Sequence, residues 1–169
     1  MVSGNVVADN KALGAGPPAG FGSPFGAIIV ATNANNTVIR DTTVINNDVN
    51  GSLVMGIVVD SDWPGSIVAN TLVMNNDITN TSASGILNTF ENSKFTPTNT
   101  TGILVCTCGL KISKGMSSPP VDKNTMITSN TINDDVIGVW LCGSSDTTVS
   151  NLRGILEYPV AVCPALGGT

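Results

Sequence analysis

Polar and apolar positions recur along this chain as a short phrase. An apolar residue is followed three places on by Asn, Thr or Ser, and five places on by a second apolar residue. A polar pair comes next, and later a Gly-apolar step. Residues 37–48 (TVIRDTTVINND) return 29 residues on as residues 66–77 (SIVANTLVMNND), and Gly56-Ile57-Val58 returns at the same offset as Gly85-Ile86-Leu87. The phrase fits at Val2/Asn5/Val7, Ile39/Thr42/Val44, Val68/Thr71/Val73, Phe90/Ser93/Phe95, Ile127/Asn130/Ile132 and Val149/Leu152, so unit starts lie 37, 29, 22, 37 and 22 residues apart. The polar pairs align as Asp9-Asn10, Asn46-Asn47, Asn75-Asn76 and Asp134-Asp135. The glycine steps align as Gly26-Ala27, Gly56-Ile57, Gly85-Ile86, Gly102-Ile103 and Gly138-Val139. Each unit predicts three short strands with a tight turn at Asp41, Asn70, Asn92 and Ser129, where Asn and Asp adopt a left-handed backbone at little cost.

Three short strands cannot bury an apolar face alone. Stacking equivalent strands in parallel at about 4.8 Å gathers the Val, Ile and Leu columns into one core and pairs each backbone amide with the unit above or below. A fixed repeat of this length is the mark of such stacked architectures. Asn at a repeated turn can bond from unit to unit, so Asn46 and Asn75, with Asn47 and Asn76, are expected to form an internal structural ladder.

Composition agrees with strands rather than helices. The chain is 41% hydrophobic but 11% charged, with Asn, Thr, Ser and Gly in place of the Glu, Lys and Arg of exposed helix faces. Net charge is −5 and no basic cluster occurs, which speaks against a nucleic-acid partner. No apolar run reaches the length of a membrane span. No signal peptide precedes the first phrase, and the first unit is cut in mid-phrase. The protein is therefore either intracellular or, the reading favoured by the cut first unit and the Asn/Thr-rich, Lys-poor surface, a piece of a longer extracellular or cell-surface protein.

Units of the form Ile-x-x-Asn-x-Val…Gly-Ile resemble the right-handed parallel β-helix repeats of the pectate-lyase-like superfamily, in the style of NosD-like and carbohydrate-associated β-helix domains. The resemblance covers residues 2–163. It implies an all-β, right-handed parallel β-helix (solenoid) of about five rungs with three short strands each, as one domain over residues 1–169. Excursions from the coil are expected at 11–24, 61–65 and 109–124. Such solenoids host lyases, hydrolases, adhesins and inert stalks alike, so fold alone does not fix activity.

Four cysteines stand at 106, 108, 142 and 163. Without histidine or a second short-spaced pair, Cys106-x-Cys108 is a poor zinc motif, and no metal is assigned. Cys106 and Cys142 each lie four residues after a glycine step, and Cys163 four after Pro159. These three are expected to stack as a column, either as buried reduced thiols or with two neighbours bridged; a spacing of one strand lies within disulfide reach.

A catalytic triad is excluded, since the chain has no histidine. Carboxylates remain. Enzymes of the resembled fold cleave polysaccharides with clustered Asp, or with Ca²⁺ held by Asp beside an Arg base. Asp48 and Asp77 occupy one repeat position and are candidates to share a cation, Ca²⁺ being the one cofactor considered. Asp60, Asp62 and Trp63 leave a strand at a loop, where an aromatic beside acids suits a sugar; Asp48, Asp77, Asp60 and Asp62 are the catalytic candidates. Arg40 and Arg153 are the only arginines and fall at unmarked positions. The expected function is a non-catalytic structural or carbohydrate-binding module, self-associating end to end through its open strand edges. The alternative is a polysaccharide lyase or glycoside hydrolase using the clustered Asp residues.

Overall fold

A computed structural model of the protein describes residues 1–13, 26–32, 34–52, 55–61, 63–81, 100–107 and 120–162. All regular structure among them is strand, and all strand pairing is parallel. The first sheet holds β1 (Val2–Ser3), β2 (Val6–Ala8), β5 (Val38–Ile45), β8 (Ile67–Met74), β11 (Val121–Lys123), β12 (Met126–Thr128) and β15 (Thr148–Ser150). The second holds β3 (Lys11–Leu13), β6 (Asp48–Asn50), β9 (Asp77–Thr79) and β13 (Thr131–Asn133). The third holds β4 (Gly26–Thr32), β7 (Met55–Ser61), β10 (Thr101–Cys106), β14 (Ile137–Cys142) and β16 (Tyr158–Val162). The chain passes from the first sheet to the second to the third, then returns to the first one strand further along. β5, β6 and β7 are thus followed by β8, β9 and β10, each beside its predecessor.

A five-residue module explains the phrase. In β5 and its continuation, Asp41, Asn46 and Gly51 have positive φ; so do Asn70, Asn75 and Asn80 on the next level, and Asn124, Ser129 and Asp134 on the one after. One left-handed residue shifts the two-residue alternation of a strand by a place, so inward positions fall alternately two and three apart. Val68, Thr71, Val73, Asn76 and Ile78 are all buried on this rhythm, while Asn70 and Asn75 are exposed. Asn, Asp and Gly occupy nearly all these corners because they meet the smallest penalty there.

The same module accounts for a register error. Ile127 pairs with Val73, not Val68; Asp122 takes the place opposite Val68. The phrase repeats within a unit after five residues, so Ile127/Asn130/Ile132 fits one module out of phase. Consequently Ser129 follows Asn75 rather than Asn70, Asn130 follows Asn76, and Asp134-Asp135 lies against Asn80-Thr81 rather than in the Asn46-Asn47 column. Likewise Ala27, not Gly26, stands opposite Gly56, since Gly26 pairs with Met55. Phe90, Ser93 and Phe95 lie outside the described residues. β8 and β12 pair directly, and β8 has β5 on its other side. At the edges of the expected excursions, residues 11–13 form β3 and residues 121–123 form β11.

Two apolar clusters sit on opposite faces of the third sheet. One lies between the sheets and contains Val44, Val49, Ile57, Val73, Ile78, Ile103, Ile127, Ile132 and Val139. The other holds Met55, Val58, Leu104, Ile137 and Trp140. β7 and β10 are buried at every position, which is why they read as unbroken apolar runs rather than alternating ones. The glycine steps permit close approach of the second sheet: a Cβ on Gly102 would lie 2.6 Å from Ile132 Cγ2, and one on Gly56 2.6 Å from Ile78 Cγ2.

Candidate functional site

The inward polar positions are occupied by a ladder. Asn10, Asn47, Asn76 and Asn130 stand on successive levels. Asn47 donates through its backbone N (3.0 Å) and Nδ2 (2.9 Å) to Asn76 Oδ1, and Asn76 repeats both bonds to Asn130 Oδ1. Asn10 does the same to Asn47. The Nδ2 groups of Asn47, Asn76 and Asn130 also donate to a backbone carbonyl of the level before, as Asn76 does to Val44 O at 3.1 Å. The ladder therefore runs through Asn47 and Asn76, not Asn46 and Asn75. The latter are left-handed corner residues (φ 56 and 55), whose side chains the corner directs outward. A second, exposed ladder follows the corner column, Asn124 to Asn70 at 3.2 Å and Asn70 to Asp41 at 2.9 Å.

Asp48 and Asp77 are register partners on β6 and β9. Asp48 Oδ2 lies 3.5 Å from Lys11 Nζ, both side chains at least half exposed, so solvent screens the pair. The Asp60 group separates. Asp60 is 3% exposed, on β7 between Ala31 and Cys106, and is withdrawn from solvent. Asp62 lies outside the described residues. Trp63 is half-buried in a turn whose backbone N and O are both held by Ser66 Oγ, at 3.2 and 2.6 Å. Asp60 is thus buried away from the surface that a sugar beside Trp63 would meet.

Cys106 and Cys142 are directly opposite in the β10–β14 register. Both are disulfide-bonded, and no described cysteine is free, which removes the reduced-thiol alternative for these two. Cys108 and Cys163 lie outside the described residues. Cys106 Sγ sits 3.5 Å from Asp60 Oδ1; a disulfide sulfur has no proton to donate, so the contact is one of packing.

Two further carboxyls, Asp122 and Asp135, are buried and strongly perturbed. Asp122 is 1% exposed and fills a place that Val68 fills on the neighbouring level. Thr125 Oγ1 donates to its Oδ1 at 3.0 Å, while Oδ2 is buried without a hydrogen bond. Burial pushes this acid up to about 7, against a smaller downward pull from Thr125. Asp135 accepts from Thr81 N (3.0 Å) and Thr81 Oγ1 (2.6 Å). Burial raises it to about 6, with hydrogen bonds from Thr81 and Thr100 opposing and Asp134 adding a small upward push. The register error hid Asp122: once Ile127 is set against Val73, an acid appears in an apolar column. Among the described residues no three His, Cys, Asp or Glu come together to hold a metal ion.

These features define an all-β chain of parallel sheets traced in rotation. Comparison with protein-family models, curated proteins and solved structures finds no match for it. No helix among the described residues is long and apolar enough to cross a membrane.

Proposed function

We propose that the chain is a right-handed parallel β-helix of about five rungs, a non-catalytic structural module of a secreted or cell-surface protein that stacks end to end on a further β-helical surface. One observation carries this reading. Of the large apolar residues exposed among those described, Met1, Val2, Val6 and Ile29 lie on or beside the first strands of the sheets, and Ile155, Val160 and Val162 on or beside the last; Met126 alone lies between. Strand edges that have no partner among the described residues and are flanked by apolar side chains favour a second copy or another stretch of β-helix as the cover. The interior supports a structural role too, since its repeated Asn side chains bond each level to the next.

Sizing the purified chain by light scattering over a wide concentration range tests the reading. Concentration-dependent association, weakened by Val160→Lys or Val6→Lys, is expected; a monomer at every concentration counts against stacking between copies. The second reading, a polysaccharide lyase or glycoside hydrolase, draws on the paired Asp48 and Asp77 on neighbouring strands. Product analysis on acidic and neutral polysaccharides checks it. Cleavage lost in Asp48→Asn and Asp77→Asn would replace the structural reading. Carbohydrate binding without cleavage would redirect attention to Trp63.

A further inference from the structure

Two exposed asparagines begin Asn-x-Ser/Thr triplets that lie wholly within the described residues: Asn35-Asn36-Thr37 and Asn50-Gly51-Ser52. Such a triplet is the acceptor pattern for N-linked oligosaccharide in a secreted chain. Asn80 and Asn99 begin two more, parts of which lie outside the described residues. Unlike the ladder amides of Asn47 and Asn76, the Asn35 and Asn50 carboxamides are exposed and make no hydrogen bond among the described residues.

We propose that Asn35 and Asn50 are both N-glycosylation sites, and that the fold imposes an order on them: Asn50 is modified only before the chain folds, Asn35 before or after. This rests on the secreted reading above. The reaction joins Asn Nδ2 to the anomeric carbon of an oligosaccharide carried on a lipid diphosphate. The C–O bond to the diphosphate breaks, the amide loses one proton, and the lipid diphosphate leaves. No oxidant or reductant enters.

The order follows from what surrounds each triplet. The requirement for Ser or Thr at the third place means that the transferase reads its hydroxyl. Ser52 is fully buried and its Oγ donates to Met55 O at 2.7 Å. Asn50 itself is locked in β6, with Leu13 opposite on one side and Thr79 on the other. In the folded chain neither the hydroxyl nor the backbone of that triplet can enter an enzyme cleft. Asn35 lies instead on the turn at 34–36 between β4 and β5, and Thr37 is only half-buried, its Oγ1 donating to Ala34 O at 2.7 Å within the same turn. Once attached, either glycan projects into solvent, because both acceptor side chains already do.

Two arms test the order. In one, the full chain is translated into endoplasmic-reticulum microsomes. In the other, the folded, disulfide-bonded chain without glycan is presented to oligosaccharyltransferase with lipid-diphosphate-linked oligosaccharide. A synthetic peptide of residues 46–56 in that arm shows that the Asn50 triplet is competent when unfolded. Occupancy is read by mass spectrometry as the Asn-to-Asp conversion left by enzymatic glycan release. Both sites occupied in the first arm and Asn35 alone in the second is the expected result, with Ser52→Ala abolishing Asn50 occupancy in the first. Asn50 occupied on the folded chain as fully as Asn35 overturns the order. Absence of glycan at either site in the first arm overturns the assignment of that site. Because the transferase is supplied, failure here bears on the sites, whereas the secreted reading stands or falls on where the parent protein is found.

Discussion

Replacing Asp122 by Asn isolates the effect of one buried acid on the pH dependence of stability. The folded chain holds this carboxyl at about 7, against 3.8 for the ordinary group. Between those values the folded chain keeps the proton and the unfolded chain has lost it. More protons are bound in the native state, so unfolding free energy falls as pH rises through the window and levels off above about 7. At about 1.4 kcal/mol per pK unit, the whole effect is on the order of 4 kcal/mol, a large share of a typical domain's stability. Most other carboxylates, if native contacts stabilise them, act in the opposite sense. The informative quantity is therefore the difference between wild type and variant.

Asn keeps the shape and an oxygen for the Thr125 bond but introduces an amide facing the unpaired Oδ2 position, at a constant cost of roughly 1–3 kcal/mol. That cost shifts the whole curve without changing its slope. Urea denaturation at half-unit steps from pH 4.5 to 8 should show wild type losing stability relative to Asp122→Asn by several kcal/mol across the range. The variant should be the less stable at pH 4.5 and the equal or more stable at pH 8. Parallel curves would refute the reasoning: Asp122 would then be ionised in the folded chain, or open to solvent. Asp135→Asn should show a smaller effect of the same sign, centred about one unit lower, as its shift to about 6 requires.

Asn76→Ala should destabilise by about 3–5 kcal/mol in the same assay, because it orphans buried partners on both adjoining levels. Asn75→Gly, one residue away at a left-handed corner, should change stability by less than about 0.5 kcal/mol. Gly102→Ala should cost about 1–3 kcal/mol by thermal denaturation, since its Cβ meets Ile132 Cγ2 at 2.6 Å, and Ile132→Ala should recover part of that increment in the double variant. Titration of thiols in denaturant without reductant should find neither Cys106 nor Cys142 reactive, and prior reduction should lower the midpoint of unfolding.

The fold was legible where corner chemistry and core chemistry repeat together. Residues 37–48 and 66–77 carry Asn or Asp at each corner and Val or Ile at each apolar inward place, and their register in the structure is the 29-residue offset of the sequence. Legibility failed where a module changes one of these elements. On the next level Asp122 replaces the inward aliphatic and Ser129 replaces the corner Asn, so the best match slid by one module onto Ile127. A two-residue strand alternation would have left that slip visible, since it turns every side chain over. A five-residue module conceals it, because the slipped pattern still points its apolar residues inward. The candidate site suffered from the same ambiguity. Asp60 leaves the end of an apolar run, which in a sheet exposed on one face would place it in solvent. The second apolar cluster on the outer face of the third sheet keeps it buried, and nothing in the alternation of β7 announces that cluster, since a strand buried on both faces has no alternation to read. Asp122 carries no signal in the repeat pattern, and Asp135 reads only as half of a polar turn pair, for the converse reason: acids next to turn residues resemble solvated turn acids until the register sets them facing inward. Register, more than residue type, thus decides which of the chain's acids are ordinary.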